Sequence, residues 1–454
     1  MLSSRDITRN GRIYGGANVE LTPEVAAELG TALGTLLGEG VLVVTARDYY
    51  PPSRMLKRSF SAGLMSTGIS VVDFHAATYP ELAFAIKKFG AKAGAHFTVS
   101  LYRSNYINIR LLDYLGIEFS REKLMNLLRL YETRHLVRTL PERIGWVTYA
   151  EYIHEIYVAS LTSYLDSDAI LGSGLNLVAD LNFGPSAEVV PNFFSELGVD
   201  AITLNAHKPP TRKGIKQNPS YLSILKLGRM VKASGASFGA ALCVDASRVF
   251  FVDDMGRALP PDTTIALFAS ILPPNSTVVT TVSASKVIDK VAEKKKVRVV
   301  RVKDSPGDVS KQVRRSRAAY GGSDFGEHIF PRFSLASDGL LAIGRMLEIL
   351  AKTERRLSSM INELPEVPVH TEEIILPSNM EIARALDTII ERQGVDVLAP
   401  TGLKILTKRG PVWIKPNYED HSIMLSIEEP TKEKVEYLRR FRDEISEIIR
   451  KPLY

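Results

Sequence analysis

The chain has 454 residues, of which 45% are hydrophobic and 24% are charged, and its formal net charge is +6. This length exceeds what one hydrophobic core serves, and the composition is that of an ordinary globular protein, so we expect several domains. No apolar run reaches the roughly 18 residues of a membrane-spanning helix. The basic clusters at 294–296 and 314–317 are interpreted as solvated helix faces, so neither a membrane nor a nucleic acid is an expected partner.

The location follows from two further features of the sequence. The first residues lack the apolar core of a signal peptide. A single cysteine, Cys243, cannot form an internal disulfide, which fits a reducing compartment. We therefore predict a cytoplasmic protein.

A pattern of strand, helix and strand occurs three times along the chain. Each copy has short β-branched apolar runs, typical of strands buried on both faces, around a segment of helical periodicity. Such long-period repetition indicates related structural units. The predicted elements are strands 41–48 and 69–74 around helix 53–68, strands 175–184 and 199–205 around helix 187–198, and strands 277–285 and 297–302 around helix 286–295.

Each unit then continues into a further strand that ends in a distinctive loop. These segments are 94–100, 239–248 and 318–328. Because ligands of open α/β sheets bind at the carboxyl ends of strands, we expect the three loops to be equivalent and to face one cleft. Ser100 ends the first of these strands, so its hydroxyl would lie at the carboxyl end of the strand, beside the cleft.

The last region, from about residue 365, has a different character. We predict helix Met380–Gln393, strands around Leu403–Lys415, strand Ser422–Ile427 and helix Thr431–Arg450, with 364–370 as a linker. The expected fold class is α/β, with three related mixed α/β domains plus a smaller C-terminal α+β domain around a central cleft. The expected boundaries are 1–147, 148–250, 251–363 and 364–454.

The chain resembles the α-D-phosphohexomutases, the phosphoglucomutases and phosphomannomutases. The resemblance is strongest in the segments 46–74, 174–184 and 249–259. It implies an enzyme that moves a phosphoryl group from its own serine to a sugar phosphate and takes one back after the bisphosphate reorients. It also implies Mg²⁺, a sugar-recognition loop and a phosphate-binding loop.

The serine loop of that family reads T-A-S-H-N-P, followed by N-G-I-K. Ser100 stands at the phosphorylated serine, and Arg110 stands at a basic residue that faces the active site. The resemblance therefore implies Ser100 and Arg110 as catalytic residues. Leu101 and Tyr102 replace the histidine and asparagine that would flank the serine, and a serine phosphoryl carrier needs such positioning groups.

The metal loop of the family reads D-G-D-A-D-R. Here Cys243, Asp245 and Ser247 stand where three carboxylates are expected, and Arg248 closes the loop. Mg²⁺ prefers hard anionic oxygens, whereas a thiol suits softer metals. We therefore predict no tight magnesium site, with Asp245 as a remnant metal ligand paired to Arg248.

The sugar loop of the family reads G-G-E-x-S-G-H. Gly321 and Gly322 retain its glycines, while Asp324 and Glu327 are the carboxylates that could hold sugar hydroxyls from shifted positions. Loss of a hydroxyl-binding carboxylate weakens selection for a hexose. All four residues are predicted to bind substrate.

The phosphate loop of the family reads R-P-S-G-T-E-P. Lys415 keeps a positive charge at the arginine position but lacks its two-pronged geometry, and it is also predicted to bind substrate. Glu419 and Asp420 would repel a phosphate dianion. His421 and Lys415 could still hold a monoanion.

Two hypotheses remain open. The leading one is a superfamily member whose metal, sugar and phosphate loops are largely lost, and which binds a sugar phosphate or regulates a partner. That partner would be an authentic mutase or a second copy of the chain, and no cofactor is expected. The alternative is an active phosphoglucomutase or phosphomannomutase that uses Ser100 and, through Asp245, Mg²⁺.

Overall fold

The computed structural model describes residues 7–450 except 10, 101–104, 209–216, 304, 306, 378–379, 400–401 and 418–419. Within these residues, no helix combines the length and the apolar character that crossing a membrane requires.

The first unit is a seven-stranded sheet with helices on both faces. Its strands run in the order β1-β2-β6-β5-β3-β4-β7, and β3, β4 and β5 are parallel. A capping box at Thr78 and Glu81 begins α3. The elements are β1 Thr8–Arg9, β2 Arg12–Gly16, α1 Pro23–Leu37, β3 Leu42–Arg47, α2 Pro51–Met65, β4 Ser70–Ala76, α3 Tyr79–Lys88, β5 Ala93–Val99, β6 Tyr106–Asp113, α4 Arg121–Glu132 and β7 Val147–Tyr149.

The second unit is a four-stranded sheet in the order β11-β10-β8-β9. Strands β8, β9 and β10 are parallel, and β11 returns antiparallel to β10. The elements are α5 Ile153–Tyr164, α6 Ser167–Leu171, β8 Asn176–Asp180, α7 Ser186–Glu196, β9 Asp200–Leu204, α8 Tyr221–Ser234, β10 Phe238–Leu242 and β11 Val249–Asp253.

The third unit repeats this topology in the order β13-β12-β14-β15. Its last strand again returns antiparallel, to β14. The elements are α9 Pro261–Ser270, β12 Thr277–Thr281, α10 Val287–Lys295, β13 Arg298–Val302, α11 Asp308–Arg315, β14 Tyr320–Ser323, β15 Glu327–Ile329, α12 Gly339–Thr353 and α13 Leu357–Asn362.

The three sheets share one arrangement: β4-β3-β5-β6, β9-β8-β10-β11 and β13-β12-β14-β15 occupy corresponding places. The connections β5–β6, β10–β11 and β14–β15 are therefore structurally equivalent, as the sequence predicts. Each follows the carboxyl end of a buried strand. One continuous hydrophobic core joins the second and third units, from Tyr157 to Met360.

The fourth unit is a five-stranded antiparallel sheet packed under two helices, in the order β16-β20-β19-β18-β17. Its apolar core includes Ile414, Leu425 and Phe441. The predicted linker 364–370 is shorter in the structure, because β16 already begins at Val369 and pairs with β20. The elements are β16 Val369–Ile375, α14 Ile382–Arg392, β17 Val397–Ala399, β18 Gly402–Thr407, β19 Gly410–Asn417, β20 Ser422–Glu428 and α15 Lys432–Arg450.

Candidate functional site

Ser100 lies at the carboxyl end of β5 and is buried. Its amide donates to the carbonyl of Tyr106, which closes the neck of the β5–β6 loop at 2.8 Å. Asp48 fixes Val99, the residue before Ser100, because the Val99 amide donates to Asp48 Oδ2 at 2.7 Å. Burial raises the pKa of the Asp48 carboxyl to about 6. The backbone that presents the serine is therefore held on both sides, while Leu101 and Tyr102 lie outside the described residues.

Asp245 lies fully buried in the β10–β11 loop, and both of its carboxylate oxygens are engaged. Oδ1 accepts from the Ser247 amide at 3.0 Å, the Ser247 hydroxyl at 2.6 Å and the Cys243 thiol at 3.0 Å. Oδ2 accepts from Arg110 at 2.8 Å and from Gln217 at 3.0 Å. Burial alone would raise the pKa of Asp245, but Arg110 and the other donors hold it well below its usual range.

Arg110 reaches this loop from β6 of the first unit and is also buried. One terminal nitrogen donates to Asp245 Oδ2 and, at 2.9 Å, to Ser247 Oγ. The other terminal nitrogen donates to Glu118 at 3.0 Å. The guanidinium carbon lies 3.6 Å from the centroid of the Tyr79 ring, a cation–π contact. Arg110 thus joins the serine-bearing unit to the second unit.

The predicted partner of Asp245 was Arg248, and that prediction is wrong. Arg110 takes the carboxylate, because β6 directs its guanidinium across the interface to Asp245 and Ser247. Arg248 points instead toward the third unit, where its guanidinium lies 3.6 Å from the carboxylate of Glu327. Arg248 also donates to Asn218 Oδ1 at 3.5 Å, and its guanidinium lies over the Phe325 ring.

Glu118 balances two arginines of the first unit. Arg12 donates to both of its oxygens, at 2.6 and 2.9 Å, and Arg110 donates to one of them. Burial would raise the pKa of Glu118, but the two guanidinium groups lower it to about 2. The result is a buried chain of alternating charges, Arg12–Glu118–Arg110–Asp245, which we call the charge network.

The β14–β15 loop brings the third unit to the same place. The Val249 amide donates to the Gly326 carbonyl at 3.0 Å, so the second and third equivalent loops are in direct contact. Glu327 accepts from Ser323 at 3.1 Å and keeps part of its surface exposed. It is therefore the carboxylate of this loop that a sugar could reach.

The other predicted sugar-loop residues are committed to packing. Gly321 and Gly322 lie within β14, where a side chain would collide with Val313 and with the Tyr320 hydroxyl, respectively. Asp324 is fully buried. Their predicted role in substrate binding stays a prediction, since the contacts show only what holds them in place.

Asp324 accepts hydrogen bonds from its own unit and from the fourth. Thr281 and Ser283 donate to its Oδ1 at 2.6 and 2.9 Å. The Lys404 ammonium donates to its Oδ2 at 2.8 Å and also to Asp262 at 2.8 Å. Burial would lower the pKa of Lys404, but the two carboxylates keep it above its usual value.

A cavity of about 370 Å³ lies between the third and fourth units. Lys415 lines it from β19, with its ammonium 4.9 Å from the centroid of the Trp413 ring. Burial lowers the pKa of Lys415. The charged residues around the cavity are Asp262, Lys286, Arg301, Lys404, Lys415, Glu428, Glu429 and Lys434. Of the rest of the predicted phosphate loop, Glu419 lies outside the described residues and His421 contacts the Pro377 carbonyl at 3.3 Å.

The residues at Asp245 do not fit the magnesium ion that the resemblance implies. Mg²⁺ needs a shell of hard oxygens with free lone pairs facing it. Here five donors already converge on the single carboxylate, and a thiol and a hydroxyl stand at the other two loop positions. Among the described residues, no group of three or more His, Cys, Asp or Glu could hold a metal ion.

Sequence reasoning missed three contributors to this region. Glu118 and Gln217 complete the hydrogen bonding of Arg110 and Asp245, and Lys404 links the third and fourth units. Glu118 lies just after β6, a strand that was not predicted from the sequence, and it had no motif to mark it. Lys404 stands alone in an apolar strand, G-L-K-I-L, where a lone lysine is a signal for a buried partner.

Three family models match the chain in sequence order. They are described as phosphoglucomutase/phosphomannomutase α/β/α domain I at residues 7–137, domain II at 155–256 and domain III at 260–367. A solved structure of a phosphoglucomutase/phosphomannomutase family protein from Burkholderia thailandensis superposes with a TM-score of 0.76, covering 100% of this chain and 99% of that one. Its identity of 20% supports the fold alone.

Full-length relatives are similar in sequence. A phosphoglucomutase/phosphomannomutase from Thermococcus kodakarensis is 31% identical over 94% of this chain and 95% of its own length. A protein from Methanopyrus kandleri, described as "Probable phosphoglucosamine mutase", is 30% identical over 97% of this chain and 98% of its own. These names give no support to the leading hypothesis of a non-catalytic protein and lie nearer to the alternative.

The predicted fold and the predicted resemblance are both confirmed. The chain folds into three mixed α/β units and a fourth, antiparallel unit, and relatives of this family match 94–97% of it. The chain therefore belongs to the phosphoglucomutase/phosphomannomutase family of the α-D-phosphohexomutase superfamily.

Proposed function

We propose that this protein is a phosphohexomutase that moves a phosphoryl group between two hydroxyls of a hexose phosphate, with Ser100 as the carrier. The observation that carries the proposal is the place of Ser100. It is held at a strand end, and the strand that follows its loop sends Arg110 into the loop of the second unit. The full-length likeness to the phosphoglucomutase/phosphomannomutase of Thermococcus kodakarensis and to the probable phosphoglucosamine mutase of Methanopyrus kandleri supports the same reaction class.

The transfer is an exchange between two oxygen atoms. The bond from phosphorus to Ser100 Oγ breaks, a bond to a sugar hydroxyl forms, and the proton of that hydroxyl ends on the serine oxygen. The second transfer, from the other phosphate of the bisphosphate, restores the phosphoserine. Catalysis of such loose transition states comes from positioning and from fixed positive charge, which Asp48 and Arg110 respectively provide.

The cavity between the third and fourth units suits the phosphate that is not being transferred. Its volume of about 370 Å³ lies within the range of small-molecule sites. Lys415 and Arg301 border it, and either could contact a phosphate oxygen. Glu327 is the carboxylate of the third loop that we assign to sugar hydroxyls, because Asp324 is already bonded to Lys404.

One observation favours a second candidate, a protein that binds hexose phosphates without turnover. Asp245, which stands where the resemblance implies a metal ligand, and Asp324, predicted to bind sugar hydroxyls from a shifted position, both accept several hydrogen bonds from protein donors. A second copy or an authentic mutase as partner stays a prediction, as does a cytoplasmic location.

Phosphorylation of Ser100 separates the two candidates. Intact-mass spectrometry of the full chain, incubated with glucose 1,6-bisphosphate, should show the added mass of one phosphoryl group, and Ser100→Ala should not. Coupled assays with the 1-phosphates of glucose, mannose and glucosamine should then identify a substrate. Binding of these compounds with neither phosphorylation nor turnover would establish the second candidate instead.

A further inference from the structure

We propose that the guanidinium group of Arg110 is the resident cation of the Ser100 site, and that phosphoryl transfer there does not depend on a divalent metal. This inference rests on the proposed function and names the charge that the reaction uses. It starts from the disagreement between the residues of the β10–β11 loop and a magnesium ion.

The first step is the position of the guanidinium. Arg110 donates to Asp245 at 2.8 Å and to Ser247 at 2.9 Å, which are two of the three positions where the resemblance implies metal ligands. The third position, Cys243, turns its thiol toward Asp245 at 3.0 Å. All three side chains are thereby bonded to one another or to Arg110, so their hydrogen-bonding capacity is directed at protein groups.

The second step is charge balance. Arg12 and Arg110 are paired with two carboxylates, Glu118 and Asp245, so the charge network is neutral without a metal ion. Two further carboxylates in the β10–β11 loop, or a dication added to it, would leave buried charge without compensation, which is strongly destabilising. The replacement of two carboxylates by Cys243 and Ser247 is therefore the change that an arginine in place of a metal requires.

The third step is permanence. Arg110 is fixed at its other end by Glu118 at 3.0 Å and lies on the Tyr79 ring at 3.6 Å. Guanidinium groups stay protonated at every physiological pH. Among the described residues, the Nε–H of Arg110 has no hydrogen-bond partner. This donor remains for a phosphoryl oxygen, a pairing for which the planar arginine group is well shaped.

The test measures metal binding and phosphorylation on the same full-length protein after treatment with EDTA. Titration with MgCl₂ in a calorimeter should show no stoichiometric binding, whether Ser100 is phosphorylated or not. Phosphorylation by glucose 1,6-bisphosphate should proceed at the same rate, within about twofold, in EDTA and in MgCl₂. Stoichiometric binding of Mg²⁺, or a rate that EDTA abolishes and Mg²⁺ restores, would overturn the inference.

Variants sharpen the result. Arg110→Lys keeps the charge but loses the planar donors, so the phosphorylation rate should fall by about 10²-fold, the usual cost of a lost transition-state donor. The exposed Arg257, which pairs with Asp253 outside this region, provides the matched control Arg257→Lys, with an unchanged rate.

A triple variant, Cys243→Asp with Ser247→Asp and Arg110→Lys, should gain Mg²⁺ binding and sensitivity to EDTA. Stoichiometric Mg²⁺ binding by the native chain, as tight as that of the triple variant, would contradict the proposal.

Failure of this inference is distinguishable from failure of the proposed function. A protein that is phosphorylated only with Mg²⁺ present is a mutase of the ordinary metal-dependent kind, and the inference alone falls. A protein that never acquires a phosphoryl group is not the proposed enzyme. In that case the calorimetric titration still decides whether Arg110 or a metal is the cation of the loop.

Discussion

The ammonium group of Lys404 in the fourth unit donates to the carboxylate of Asp324 in the third at 2.8 Å. The same nitrogen donates to Asp262 at 2.8 Å and to the Ser283 carbonyl at 3.0 Å. Lys404 is 2% exposed, so water competes little for these bonds. One buried cation thus fastens the fourth unit to the loop in which the sugar-recognition residues were predicted.

We expect Lys404→Met to loosen the contact between the third and fourth units. The variant leaves Asp262 and Asp324 buried without their cation, and removal of one partner from a buried ion pair costs about 3–5 kcal/mol. Scanning calorimetry should show a separate, earlier transition, and proteolysis should cut the chain near residues 364–368. Lys408→Met, at an exposed position in the turn after β18, serves as control. An unchanged melting curve for Lys404→Met would show that the interface does not depend on this lysine.

The stability of the first unit should depend on pH through Glu118. Its pKa falls from an ordinary 4.5 to about 2 in the folded chain. The stabilisation from its two arginines is therefore fully present above pH 4.5 and is lost as the pH falls toward 2. The unfolded state binds the proton first, and each unit of pKa difference corresponds to about 1.4 kcal/mol.

Melting temperatures measured between pH 6 and pH 2.5 check this prediction. Glu118→Gln should have a lower melting temperature at neutral pH, and its melting temperature should fall much less than that of the native protein as the pH is lowered. Glu122→Gln, at an exposed site on α4, should follow the native curve. A native protein and a Glu118→Gln variant with parallel pH profiles would contradict the assignment.

Lys415 should contribute directly to phosphate affinity. Lys415→Met removes the ammonium beside Trp413 while keeping a side chain of similar length, so the cavity retains its shape. Loss of a hydrogen bond to a charged group costs about 1.5–3 kcal/mol, which corresponds to a rise of about 10–100-fold in the Kd for glucose 6-phosphate. Calorimetric titration measures this Kd, with Lys408→Met as the control variant. An unchanged Kd would place the phosphate elsewhere.

Tryptophan fluorescence offers an independent report on the same cavity. The chain has two tryptophans, and Trp146 is 79% exposed whereas Trp413 lines the cavity. A Trp146→Phe variant therefore emits from Trp413 alone. Addition of glucose 6-phosphate should change this emission with the Kd obtained by calorimetry. A ligand that binds without any change in emission would not be in this cavity.

Much of the fold follows from local sequence pattern. The short apolar runs at 43–44, 177–179 and 278–279 lie in central strands, because a strand that is apolar on both faces is buried on both faces of its sheet. The equivalence of the three loops follows from the repeat itself. Such features depend on neighbours in sequence, so a single chain suffices to predict them.

The contacts between units could not be predicted in the same way. Arg248 stands next to the Asp245 loop in sequence, yet Arg110, 135 residues away from Asp245, makes the bond. Lys404 is buried only because the fourth unit packs on the third. Both outcomes depend on how separate sheets are placed against each other, which periodicity and motif spacing do not encode.

The sulfur atom of Cys243 can serve as a chemical probe of opening motions in the second unit. It is the chain's sole thiol, it lies fully buried beside Asp245, and burial raises its pKa well above the usual range. The thiolate is the form that attacks thiol reagents, so the folded protein should resist labelling. The rate of labelling would then report how often local opening of the second unit exposes this thiol. It could measure that opening under native conditions without a fluorophore, a tag or an assay of turnover.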